Sequence, residues 1–138
     1  MYYVYMQIIR KVALGVFQGK KIMFVRSRSQ ENVFYTLGGK LEVGESDIQC
    51  LKREIKEEIG CEIEDSSIKF LHEFEDVAHG KEGLLNIRMY TGNLIGEPKP
   101  SAEVEEIGYF DSSSDKKNLS LIAQRTIFPW LKKHNFIN

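Results

Sequence analysis

The stretch GGKLEVGESDIQCLKREIKEEIGC, Gly38 to Cys61, decides how the rest of the chain is read. Two glycines open it and Gly60 nearly closes it. Ser46 is placed to cap a helix, and Gln49 follows three residues on, in the capping-box relation. Gly60 is a natural C-terminal stop. A helix from about Asp47 to Ile59 is therefore predicted. At about 100° per residue, Ile48, Leu51, Ile55 and Ile59 share a stripe about 80° wide, which should face a core. Glu54, Glu57 and Glu58 lie within about 100° of one another on the adjoining face, together with Cys50. Arg53 lies just beyond that face, one turn before Glu57, where the two can pair. Like charges at this spacing repel, and Lys52 and Lys56 sit elsewhere on the helix. Two readings follow. The face is either a solvated acidic surface or the seat of a divalent cation, since hard ions take oxygen ligands and share them with substrate phosphates. Spacing alone leaves both open.

Outward from the helix, KVALGVF, QGK and KIMFVRS read as strand, turn and strand, with Gly19 in the turn. NVFYTLGG reads as a short extended segment ending in a glycine turn. After the helix, SIKFLHEFEDVA and LLNIRMYTGNLI read as two long strands around the hairpin signal HGKEG. EPKPSAEVEE reads as a polar loop and IGYFD as a last short strand. NLSLIAQRTIFPWLKKH reads as a closing helix capped by Asn118 or Ser120 and kinked or split at Pro129. Hairpins outnumber crossovers, so a mixed sheet with helices packed on it is expected.

The chain has 138 residues, 42% hydrophobic and 28% charged, with a formal net charge of -1. One domain spanning 1–138 is expected. The near-zero charge removes any global attraction to a nucleic acid polymer or an anionic membrane. An anionic ligand must then be held by local groups or by metal ions. Cys50 and Cys61 form no CxxC pair, which argues against a disulfide framework or a zinc site and fits a reducing cytosol. No apolar run approaches the roughly 18 residues of a spanning helix. The N-terminus lacks a basic region ahead of an apolar one, so no signal peptide is read and a cytoplasmic location is expected.

Gly39, Glu45, Arg53, Glu54, Ile55, Glu57, Glu58, Gly60 and Cys61 match the Nudix box, G-x5-E-x7-R-E-U-x-E-E-x-G-U with U a bulky apolar residue. Cys61 is smaller than usual at the last position. Leu37 replaces the proline that many members carry before the glycines, so the loop loses a fixed φ. The strands before the box, the hairpin after it, the acidic loop and the final helix extend the resemblance over most of the chain.

The resemblance implies an α/β/α sandwich with a mixed sheet between helices. It also implies hydrolysis of a nucleoside diphosphate derivative with Mg²⁺ or Mn²⁺. Glu57 and Glu58 would be metal ligands, and Glu54 a ligand or the base that activates water. The Gly38 carbonyl would be a further ligand. Glu45 would pair with Arg53 and hold loop to helix. Glu103, ahead of Glu106 and Glu105, would supply one more carboxylate. Arg26, Arg28, Gly39 and Lys40 are candidate substrate contacts. Asn118 resembles the asparagine with which MutT-like members read a purine, and is otherwise a helix cap.

A MutT-like nucleoside triphosphate pyrophosphohydrolase, with oxidised purine nucleotides among its candidate substrates, is the leading expectation. Hydrolysis of ADP-ribose, nucleotide sugars or dinucleoside polyphosphates is the rival, and a nucleotide-sensing module that does not cleave is the remaining one. The expected partner is a small nucleotide, and the chain a monomer or homodimer. Phe34 and Tyr35 read as packing residues rather than base-stacking ones. His72, His79 and His134 share no spacing and read as surface or packing residues. Cys50 reads as a small residue fitting beside the site rather than a nucleophile.

Overall fold

The computed structural model describes residues 7–28, 32–78 and 83–138. His79 and most of the HGKEG turn lie outside them. In chain order the elements are β1 (Ile8–Gly15), β2 (Phe17–Gln18), β3 (Lys21–Ser27), β4 (Tyr35–Thr36), β5 (Gly38–Lys40), α1 (Asp47–Ile59), β6 (Glu62–Ile63), β7 (Lys69–Val77), β8 (Leu84–Thr91), β9 (Leu94–Ile95), β10 (Val104–Phe110) and α2 (Phe128–Lys133). One sheet has the order β5-β1-β8-β7, and a second has the order β10-β3-β2 with β4 also paired to β3. β1 runs parallel to β8, and the other pairings are antiparallel.

The inner lengths of β1 and β3 are apolar on both faces because a helix layer covers each. Val12 and Leu14 of β1, with Met23 and Val25 of β3, pack with Leu51, Ile55 and Ile59 of α1. Ala13, Ile22 and Phe24 point the other way and pack with Ile127, Phe128 and Leu131. This is the α/β/α sandwich with a mixed sheet between its helices, and strands so placed read as continuous apolar runs.

Several local expectations change. The KVALGVF–KIMFVRS hairpin is confined to β2 and the start of β3. Its loop holds Gly19 and Lys20 at φ 58 and 59, the left-handed pair that suits the twist of a two-residue hairpin. The body of β1 pairs instead with β5 and β8. The second long strand ends at Thr91, and Leu94–Ile95 leaves it to pair with β6. The last strand begins at Val104 rather than Ile107, with a bulge before Glu106. Ile48 is only half-buried, at the margin of the α1 stripe.

Asn118 caps no long helix: it ends a short 3-10 turn, and its carbonyl accepts the Phe34 amide at 2.8 Å. The closing helix starts from the Ser120 carbonyl, which accepts the Gln124 amide at 3.1 Å. It then widens into a π-helical turn over Ala123–Ile127. Pro129 follows that turn within the first residues of α2, where its missing N–H costs least.

α1 is fixed at both ends. Ser46 and Gln49 form the capping box, and Gly60 at φ 69 ends the helix. Asp47 in the first turn accepts two bonds from Arg88, at 2.6 and 2.7 Å, and one from the Tyr90 hydroxyl at 2.6 Å. At the other end the Lys99 and Ser101 amides donate to the carbonyls of Ile59 and Glu58, both at 3.0 Å. The Arg88 guanidinium, more than burial opposes it, holds the Asp47 carboxyl below the usual range. A depressed carboxyl adds stability above its unfolded pKa and loses it as pH falls. Asp47→Ala should therefore cost about 1–3 kcal/mol near neutrality, and the deficit should shrink below about pH 4. Urea melts of both proteins at the two pH values check this.

Candidate active site

β5 carries Gly38 against β1 and Gly39 against α1 so closely that neither position tolerates a side chain. A Cβ on Gly39 would lie 2.4 Å from the Glu54 carboxyl carbon. A Cβ on Gly38, whose φ is +147, would lie 2.1 Å from the Val12 carbonyl oxygen. The Gly38 amide instead donates to Glu58 Oε1 at 2.8 Å. The glycine pair thus lets backbone meet two of the three helix glutamates.

Arg53 is the hub. Its Nε and Nη2 donate to both oxygens of Glu45, at 2.8 and 3.0 Å, and Nη1 donates to Glu54 Oε1 at 2.8 Å. Nη2 also reaches the Lys40 carbonyl at 3.2 Å, and Glu57 Oε2 stands 3.7 Å from Nη1. Glu45 in turn accepts the Glu42 amide at 2.9 Å. This network ties the loop after β5 to the helix. The Arg53 bonds, then the Glu42 amide, hold the Glu45 carboxyl down at about 2. Lys52 and Lys56 are turned elsewhere, to Asp65 and Glu62. Of the three cations on α1, Arg53 is therefore the one that faces the glutamates.

The three glutamates differ in environment. Glu57 is exposed, with 54% of its side chain accessible. Burial pushes the Glu54 carboxyl up, opposed by Arg53. Burial pushes Glu58 further, up to about 8, with Glu54 and Glu57 adding to the rise and the Gly38 amide and Lys11 opposing it. A carboxylate kept in so poor a medium for charge marks a position where positive charge belongs.

The remaining candidates are spread around this centre. Glu103 is exposed at the start of β10, two residues past Ser101, and its carbonyl accepts the Arg28 amide at 3.0 Å. Arg26 is held by Glu106, at 3.1 and 3.0 Å, and by Glu105 at 3.3 Å. That engagement gives Glu105 and Glu106 a cation of their own. Lys40 ends β5, exposed, beside the Arg53 network. Asn118 stands apart from the glutamates in these contacts, beside Phe34, and is half-buried. Phe34 is buried against Phe110, with ring centroids 4.8 Å apart. His72 and His134 stack on the two faces of Trp130, at 4.2 and 4.0 Å, away from the glutamates in sequence and packing. Lys11 was not among the candidates from sequence, yet its charge acts on Glu58.

Cys50 is fully buried under the turn out of β5, its Sγ 3.4 Å from the Lys40 carbonyl. Burial, with Glu45 nearby, pushes its thiol up to about 12. The folded protein should leave Cys50 unmodified by iodoacetamide at pH 8, and urea should expose it. Peptide mass mapping reads this directly.

The NUDIX domain family matches residues 9–131, and the chain belongs to that family of hydrolases. A putative Nudix hydrolase family member from Chromobacterium violaceum superposes with a TM-score of 0.71 at 25% identity, covering 94% of this chain and 80% of that one. A MutT Nudix hydrolase from Burkholderia pseudomallei superposes with a TM-score of 0.68 at 20% identity, covering 87% and 99%. A UDP-X diphosphatase gives 0.65 at 19% identity, covering 97% and 65%. Among curated proteins, an octanoyltransferase from Myxococcus xanthus is 27% identical over 128 residues. That match takes in 89% of this chain but 30% of the octanoyltransferase.

Nudix hydrolases use divalent metal ions. Among the described residues, no three His, Cys, Asp or Glu side chains are gathered tightly enough to hold an ion. Glu54 is drawn to Arg53, and Glu58 to the Gly38 amide. The donor set nonetheless suits a hard cation: carboxylate oxygens on one helix face, one of them half-buried with its charge disfavoured.

Proposed function

We propose that this chain is a divalent-cation-dependent pyrophosphohydrolase of the MutT-like kind. Its substrate is a nucleoside triphosphate, with oxidised purine deoxynucleotides among the candidates, and its products are a nucleoside monophosphate and pyrophosphate. The observation that carries the reading is the half-buried Glu58 carboxylate against the Gly38 amide, with Glu54 and Glu57 on the same helix face.

Glu57 and Glu58 would hold the cation, Glu54 would be a ligand or the base, and the Gly38 carbonyl and Glu103 would be further oxygen donors. Bound Mg²⁺ or Mn²⁺ supplies charge neutralisation at the phosphates and acidifies water. The chain does the rest. Arg53 orients Glu54 and keeps it available as a proton acceptor, and burial raises that carboxyl toward the working pH of a base. Glu45 fixes Arg53 from the loop side. Gly39 lets the backbone lie against Glu54, next to where a phosphate would be attacked. Arg26, Arg28 and Lys40 are the proposed phosphate contacts. Arg26 would exchange Glu106 and Glu105 for substrate. Asn118 is the proposed base reader.

The likeness to a UDP-X diphosphatase favours a second reading, hydrolysis of nucleotide sugars. ADP-ribose and dinucleoside polyphosphates belong with it. A sensor that does not cleave fits less well, because every box glutamate is retained. Transfer of an acyl group through a thiol has no support, since both cysteines are buried.

We place the protein in the cytoplasm as one domain, monomeric or homodimeric. Its cysteines are free and no described helix is long and apolar enough to cross a membrane. An assay with Mg²⁺ across canonical and oxidised nucleoside triphosphates, ADP-ribose, nucleotide sugars and dinucleoside polyphosphates tests the reading. Pyrophosphate and a nucleoside monophosphate from one triphosphate support it. Preferred cleavage of a sugar nucleotide supports the second reading.

A further inference from the structure

β1 reaches back past the end of β5. The two strands pair at Lys11, Val12 and Ala13, and β5 stops at Lys40. Ile8, Ile9 and Arg10 lie beyond that point, and a cavity of about 360 Å³ runs along them. It is lined by Gln7, Ile8, Ile9, Arg10, Lys40 and Leu41. Successive strand residues point to opposite faces, so a cavity lined by four in a row follows the edge of the sheet. Its two charged lining residues, Arg10 and Lys40, are both cations. Both are exposed, and among the described residues neither side chain is paired with a carboxylate. Two cations around one small cavity repel each other until anionic oxygens lie between them.

Arg10 lines this cavity although an acceptor stands beside it on the sheet. Its register partner on β8 is Asn86, 4% exposed. The Asn86 amide nitrogen donates to Glu73 and Glu75, at 3.0 and 3.3 Å. The Asn86 Oδ1 has no partner among the described residues. A buried acceptor left bare costs stability, and an arginine serving the fold alone would close on it.

The cavity adjoins the glutamates by geometry. Arg10 and Val12 share a face of β1, and Val12 packs with α1 on that face. Val12 stands opposite Gly39, where a Cβ would lie 2.4 Å from the Glu54 carboxyl carbon. Arg10 is one strand repeat from that contact, about 6–7 Å, a distance an arginine side chain spans. Lys40 directly follows Gly39, and its carbonyl accepts Arg53 Nη2 at 3.2 Å.

We infer that Arg10 and Lys40 form a phosphate-binding subsite beside the glutamates, in which the Arg10 guanidinium takes phosphoryl oxygens of the substrate's phosphate chain. This rests on the pyrophosphohydrolase reading and adds a residue of the first strand, outside the box, to it. The guanidinium fork matches two phosphate oxygens, and Lys40 adds a point charge.

The test uses Arg10→Gln, which removes the charge, and Arg10→Lys, which keeps the charge but not the fork. Lys69→Gln, at an exposed cation of β7, controls for net charge. Calorimetry with inorganic pyrophosphate and Mg²⁺ gives a readout that does not depend on knowing the nucleotide. The inference expects Arg10→Gln to weaken pyrophosphate binding by about 10- to 100-fold, the worth of a hydrogen bond to a charged group. Arg10→Lys should recover part of the loss, and Lys69→Gln should bind as the wild type does. KM for the best substrate should rise in Arg10→Gln with kcat nearly unchanged. That variant should melt with the wild type, since the change is at the surface. Equal pyrophosphate affinity in wild type and Arg10→Gln, or an equal loss in Lys69→Gln, overturns the inference and leaves the pyrophosphohydrolase reading of an active wild type standing. A wild type that binds pyrophosphate through Arg10 but cleaves no substrate overturns that reading and keeps the anion subsite. A wild type that neither binds pyrophosphate nor cleaves any substrate overturns both.

Discussion

Replacing Glu58 by glutamine should reduce hydrolysis by at least about 100-fold, the scale of losing a metal-holding or proton-handling carboxylate. The same change should stabilise the metal-free protein at pH 8. Both effects come from one feature. The Glu58 carboxyl is raised to about 8, chiefly by burial, against 4.5 in the open chain. The folded state therefore binds this proton more tightly than the unfolded state. Its contribution to stability is fully present below about pH 4.5 and is lost as pH rises through about 8. In that window the metal-free wild type should lose up to about 1.4 kcal/mol per pH unit from this group. Glutamine fills the same space and its side-chain oxygen can still accept the Gly38 amide, so Glu58→Gln should show little of that slope. Denaturant melts in a chelator at pH 5, 6.5 and 8 measure it. A variant that is inactive but also less stable at pH 8 would mean that Glu58 is structural.

Gly39→Ala should be nearly as damaging, for a steric reason. The added carbon would lie 2.4 Å from the Glu54 carboxyl carbon and 2.5 and 2.7 Å from its oxygens. Glu54 cannot simply swing aside without giving up Arg53, which donates to it at 2.8 Å. Either β5 moves off the helix or Glu54 leaves its place. Overpacking of this kind costs about 1–3 kcal/mol. Displacing Glu54 should lower kcat by about 100-fold. Alanine at Gly19 is the useful contrast. Its φ is +58, unlike that of Gly39, but nothing lies within 4 Å of a Cβ there, so the change should cost stability without touching kcat. Steady-state kinetics and thermal melts on both variants separate the two effects.

α1 was legible in the sequence almost to the residue, because its signals are local. The Ser46–Gln49 box and the Gly60 stop bound the same span that the structure shows. The sheet was legible only as a class. The parallel pairing of β1 with β8 joins residues more than 70 positions apart, and no local pattern encodes it. The same holds for the β6–β9 pair. The closing helix misled because Asn118 and Ser120 are both good caps, while the Phe34 segment claims the backbone on either side of Leu119.

At the candidate site, the glutamates and Arg53 were legible because helical spacing puts them on adjoining faces. Arg26 was legible as a cation but not as the partner of Glu105 and Glu106, which depends on the β3–β10 register.

Glu58 of α1, half-buried against the Gly38 amide, is expected to meet a cation. The most direct measurement is the melting temperature of metal-free protein at pH 8, with and without Mg²⁺, for the wild type and Glu58→Gln. The account predicts a clear rise with Mg²⁺ in the wild type and little or none in the variant. A rise of equal size in both proteins, or none in the wild type, would contradict it.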